Sequence, residues 1–82
     1  MRDISECRKE IDEIDDSIAD LLAKRMVLSK EIGVLKKNAG GHIGDETREN
    51  EIVTRIAEGK EEGWAIAEIY QTIFKTSREL QE

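Results

Sequence analysis

Proline is absent from the 82 residues, cysteine and histidine occur once each, and Trp, Tyr and Phe contribute one residue apiece. Without proline, nothing in the composition breaks a helix from inside. The lone Cys7 cannot close an internal disulfide, which fits a reducing, cytoplasmic setting and casts Cys7 as a small buried apolar side chain. The lone His42 has no companions at metal-ligand spacing, so no metal site is expected. No apolar run approaches the roughly 18 residues of a membrane span, and no signal-peptide pattern opens the chain. Positive charge is in deficit, with 13 Lys+Arg against 19 Asp+Glu and a net charge of −6. That balance excludes bulk-charge binding to nucleic acid and a basic helix lying on a membrane surface. Nucleophile–base pairs and glycine-rich phosphate loops are missing too. Any catalysis would rest on fixed charges and hydrogen bonds, with no cofactor.

What remains is strongly helical. Charged residues make up 39% of the chain and hydrophobic residues 38%, against about 25% charged in an average globular protein. The length allows one domain, with a core that is marginal by itself. Glycines cluster at Gly40, Gly41 and Gly44, and again at Gly59 and Gly63. Between these breaks the pattern predicts three helices, near residues 4–38, 46–58 and 64–81. Asp3 suits the first N-cap, with Glu6 three positions on in a capping-box-like arrangement.

The first helix carries a heptad seam: Ile4, Cys7, Ile11, Ile14, Ile18, Leu21, Arg25, Leu28, Ile32 and Leu35. Every member but Arg25 is apolar, over five heptads. Such a helix spans roughly 50 Å at 1.5 Å per residue, whereas a compact chain of this size has a radius of gyration near ~12 Å. Two shorter helices cannot cover the whole seam. A second copy of the chain is the economical cover, so the expected architecture is an all-α, intertwined antiparallel homodimer of three-helix chains, one helix long and two shorter. Charge fits that pairing. Residues 1–20 hold eight acids and three bases, and residues 21–37 hold five bases and one acid. Antiparallel packing sets acid half against basic half.

Arg25 on an apolar seam is costly unless it finds an anion. A carboxylate of the partner would suffice, but Arg8 and Lys36 share a column beside the seam and Arg25 adjoins it. Within one helix Arg25 and Lys36 are roughly 16 Å apart along the axis and Arg8 lies about 25 Å from Arg25. In an antiparallel pair centred near residue 20, Arg8 of one chain faces the stretch between Arg25 and Lys36 of the other. Two symmetric pockets result, each lined by three cations and suited to a small anion with more than one carboxylate. Asp45, Arg48 and Glu49 share one face of the second helix, although simple capping also accounts for Asp45 and Glu49. On the third helix the stripe Ile66, Ile69, Tyr70, Ile73, Phe74 ends in the polar Ser77 and Gln81, which either fray or enter the same pocket.

These residues, taken in order, resemble the all-helical (AroQ-type) chorismate mutases. The matching pieces are Arg8-Lys9-Glu10-Ile11-Asp12, Leu21-Leu22-Ala23-Lys24-Arg25, Lys30-Glu31-Ile32-Gly33 with Lys36, Asp45 with Arg48-Glu49, and Ser77 with Gln81. Each piece is weak alone, but the ordered set covers almost the whole chain, which is expected to form one domain, residues 1–82. The resemblance implies a helical dimer with two active sites that rearranges chorismate to prephenate, a step of aromatic amino acid biosynthesis, without cofactor or metal. It implies that Arg25 and the partner chain's Arg8 grip the two substrate carboxylates. Lys36 and Gln81 would address the ether oxygen, Glu49 the ring hydroxyl, with Asp45 and Arg48 bordering the pocket and Ser77 near a carboxylate. An isochorismate-pyruvate lyase of the same fold is the nearest alternative, and a carboxylate at Glu49 favours the mutase. A non-enzymatic coiled-coil module explains the heptads but not Arg25, Ser77 or Gln81.

Overall fold

The structure, a computed structural model describing residues 2–82, consists of helices α1 (Ile4–Ala39), α2 (Glu46–Ala57) and α3 (Gly63–Gln81), with no strand among the described residues. The boundaries lie within one residue of those predicted, and at both ends of α1 and the start of α2 the caps are written locally. The Asp3 carboxylate accepts from the Glu6 backbone N–H at 2.8 Å, and Asp45 does the same for Arg48 at 3.0 Å. Gly40 ends α1 with φ 72°, a left-handed conformation that costs glycine nothing. There the Gly41 N–H donates to the Lys36 carbonyl at 2.7 Å and the Gly40 N–H to Lys37 at 3.3 Å, the pairing of a Schellman motif.

α1 sets the shape. Its 36 residues make a rod of about 54 Å at 1.5 Å per residue, and the whole chain measures 56 × 23 × 14 Å with a radius of gyration of 15.9 Å. That radius exceeds the ~12 Å of a compact chain of equal length. α3 packs against both α1 and α2, whereas α1 and α2 do not pack on each other. The helices therefore gather at the C-terminal half of α1, and its N-terminal half projects free.

Little apolar surface is buried: among the hydrophobic side chains of the described residues only Phe74 (2% exposed) and Ile52 (7%) are buried. The side of α1 that α3 covers is a column of small residues, with Ser29 and Gly33 buried. Close approach explains this. A β-carbon at Gly33 would lie 2.6 Å from the Gln81 carbonyl oxygen and 2.7 Å from its α-carbon. The heptad seam is left uncovered, and Ile4, Ile11, Ile14, Ile18, Leu21, Leu28, Ile32 and Leu35 are all exposed in the single chain. Cys7, expected to be buried, is likewise exposed. It sits on the projecting half of α1, beyond the reach of α2 and α3. No helix among the described residues is long and apolar enough to cross a membrane.

Candidate active site

Three helix ends converge where α3 meets the others. The last turns of α1 bring Lys36, the first turn of α2 brings Asp45, Arg48 and Glu49, and the last turns of α3 bring Ser77, Arg78 and Gln81. With Arg25 they line an open cavity of about 360 Å³, whose apolar side is lined by Leu28, Ile32, Ile52 and Phe74. Seven of the eight residues singled out from the sequence thus meet in one place. Arg8 is the exception: it lies on the projecting half of α1, outside the cavity.

Local chemistry explains how each side chain is held. The loop after Gly40 reverses the chain so that the Asp45 N-cap comes beside the end of α3, where the side chain of Arg78 packs against Gly44. The Arg25 guanidinium stands 6.0 Å from the centroid of the Phe74 ring, within cation–π range. Tyr70 braces that ring edge-on, with centroids 5.6 Å apart at 63°. The Ser29 and Ser77 hydroxyls share a 2.6 Å hydrogen bond, and the Gln81 amide nitrogen reaches Ser77 Oγ at 3.5 Å. One wall of the cavity is therefore a short polar chain, Ser29–Ser77–Gln81.

The electrostatics are lopsided. Four cations (Arg25, Lys36, Arg48, Arg78) and two acids (Asp45, Glu49) line the cavity. One ion pair forms among them, Arg78 Nη1 to Glu49 Oε2 at 2.6 Å. Arg25, Lys36 and Arg48 pair with no carboxylate among the described residues. Gln81 Oε1 is buried without a hydrogen-bond partner. An unsatisfied buried acceptor is costly and marks a place where something is missing. A concave, partly apolar site with unpaired cations is built to take a small polyanion, and the unpartnered Gln81 Oε1 can accept a hydrogen bond from it. No group of three His, Cys, Asp or Glu that could hold a metal occurs among the described residues.

Ser29 and Arg78 went unmarked in the sequence, and Gly33 entered only as the end of the Lys30-Glu31-Ile32-Gly33 piece, without a role. Ser29 and Gly33 are the small residues that admit α3, and an isolated glycine inside a long helical pattern is a recognisable sign of close approach. Arg78 lies four residues after Phe74, hence on the same face of α3, a spacing that would have flagged it.

Comparison with known proteins gives this geometry its context. Residues 7–82 match the family described as chorismate mutase type II. A chorismate mutase from Methanocaldococcus jannaschii is 43% identical over 53 residues, covering 65% of this chain and 54% of that protein. A bifunctional chorismate mutase/prephenate dehydratase from Aquifex aeolicus is 35% identical over 88 aligned positions, covering 99% of this chain and 24% of that protein. The chain thus spans about half of the first relative's length and about a quarter of the second's. A solved structure of a conserved hypothetical protein from Pyrococcus furiosus matches with a TM-score of 0.83 at 35% identity, covering 96% of this chain and 95% of that one.

Proposed function

This chain belongs to the chorismate mutase type II family, and from that premise we propose that its cavity binds chorismate and rearranges it to prephenate, in a homodimer whose second copy completes each site. The observation that carries the proposal is the convergence of Arg25, Lys36, Asp45, Arg48, Glu49, Ser77 and Gln81, scattered over 57 positions of sequence, on one cavity with three unpaired cations.

The reaction is a unimolecular Claisen shift. The ether C–O bond breaks as a C–C bond forms across the folded side chain, and no proton is removed. A nucleophile, a general base or a cofactor is therefore unnecessary. Two things are required: the reactive folded conformer must be held, and positive charge must sit where the ether oxygen gains electron density. Arg25, pre-oriented by Phe74, grips one carboxylate, with Ser77 beside it. Arg8 of the partner subunit grips the other. Lys36 offers its ammonium to the ether oxygen. Gln81 offers its amide N–H once the amide turns over, so that Oε1 accepts a hydrogen bond from the Ser77 hydroxyl and Nε2 is released to the substrate. Glu49 accepts from the ring hydroxyl, and Asp45 and Arg48 border the pocket.

Dimerisation follows from what the single chain leaves uncovered. The exposed seam from Ile4 to Leu35 and an apolar groove of about 670 Å³ between α1 and α3 favour a second α1 laid antiparallel. Cys7 would be covered in that pairing, in keeping with a reducing, cytoplasmic setting.

The test is incubation of the purified chain with chorismate, following loss of ultraviolet absorbance and identifying the product. Prephenate is the expected product. Salicylate from isochorismate would instead assign a lyase of the same fold, and no turnover of either substrate would leave a helical dimerisation module.

A further inference from the structure

Arg78 lines the cavity, yet no step of the proposed rearrangement uses it. We infer that Arg78 is a positioning residue, which fixes the Glu49 carboxylate so that its free oxygen faces the substrate hydroxyl; the inference rests on the proposed mutase reaction.

The geometry is specific. Arg78 Nη1 donates to Glu49 Oε2 at 2.6 Å across 29 positions of sequence, tying the end of α3 to the first turn of α2. This is the one ion pair in the cavity, and hydrogen bonds between charged groups are short and strong. Oε1 of Glu49 has no hydrogen-bond partner among the described residues, so one oxygen is anchored and the other is available. A glutamate in the first turn of a helix otherwise has several rotamers open to it, and freezing one of them before substrate arrives removes that ordering cost from the bound state. The aliphatic stem of Arg78 lies against Gly44, where a β-carbon would come within 3.4 Å of Cδ. The pair also masks the one glutamate that would otherwise repel a dianionic ligand, while Arg25, Lys36 and Arg48 keep their charge free.

Arg78 could instead bind the substrate directly, and kinetics separate the two roles. The Arg78 side chain is 41% exposed, so truncation opens no core cavity. Arg78→Met should lower kcat about 10- to 10²-fold, the scale expected when a catalytic group is misplaced, and leave KM within about threefold. Arg78→Lys, which keeps the charge but not the fork, should recover part of that loss. The deciding measurement is the double-mutant cycle. In a Glu49→Gln background, Arg78→Met should cost less than about twofold, because the residue it acts through is already altered. Thermal unfolding of each variant accompanies the kinetics, and Arg78→Gln serves as a second truncation should Arg78→Met unfold. An Arg78 effect that persists in full in the Glu49→Gln background, or one that falls on KM alone, overturns the positioning role while leaving the mutase reading intact. A wild-type chain that does not turn over chorismate removes both.

Discussion

Gly33→Ala is the sharpest probe of how this fold makes its site. The added β-carbon would lie 2.6 Å from the Gln81 carbonyl oxygen, 2.7 Å from its α-carbon and 3.0 Å from its carbonyl carbon. All three neighbours are backbone, so no side chain can swing aside. Ordinary contact begins at 3.4 Å, so the end of α3 must retreat by about 0.8 Å or the last turn must unwind. Two effects on stability oppose each other. Alanine in a helix interior is favoured over glycine by about 0.5–1 kcal/mol, while overpacking typically costs ~1–3 kcal/mol. The net loss is on the order of 1 kcal/mol, a fall in Tm of about 4–8 °C for a chain of this size. Catalysis should suffer far more. Displacing a catalytic group by about 1 Å costs ~10²-fold, and removing one preorganised donor costs ~10²–10³-fold. The expected result is a folded helical protein whose kcat for chorismate has dropped roughly 10²-fold, with Gln81→Ala adding little on top. A Gly33→Ala variant with kcat within about threefold of the parent would refute the claim that this close approach positions Gln81.

Lys36→Ala and Arg25→Ala should each lose ~10²–10³-fold in kcat/KM with unchanged helical circular dichroism, since both side chains face the cavity and neither is paired; full activity in either would dismantle the site assignment. Ile14→Glu places a charge on the seam at a position exposed in the single chain, so a monomer should tolerate it. In a dimer it should shift sedimentation toward monomer and abolish activity, restored in part at high protein concentration, and unchanged mass and rate would exclude the antiparallel pairing. Gln81→Glu exchanges an amide donor for a carboxylate that donates only when protonated, so its activity should rise as pH falls below neutrality; a flat profile would show that no donor is needed at that position.

Much of this was legible in one dimension because the determinants are local. Asp3 and Asp45 cap the helices they precede, and Gly40 ends the helix it follows, through contacts within five residues. The heptad seam announced a helix longer than its own domain, and the 56 Å extent agrees. Arg25, Ser77 and Gln81 stood out because each interrupts an apolar stripe, and an interruption is a local property of the pattern.

Other features depend on which surfaces meet, and hydrophobic periodicity carries no signal for them. The face of α1 that meets α3 is built from Ser29 and Gly33, chosen for smallness and not for apolarity. Cys7 is fit for burial by type, yet within the single chain it is exposed because α1 outruns α2 and α3. The Arg78–Glu49 pair joins residues 29 positions apart, and nothing at either position names the other. Residue types and their spacing therefore specified the helices, their ends and the presence of misplaced cations, since those follow from short-range hydrogen bonding and side-chain transfer energies. The packing of α3 onto a glycine groove decided which of those groups share a cavity, which carboxylate is held and which charges stay free, because steric fit and charge pairing act between surfaces that are distant along the chain.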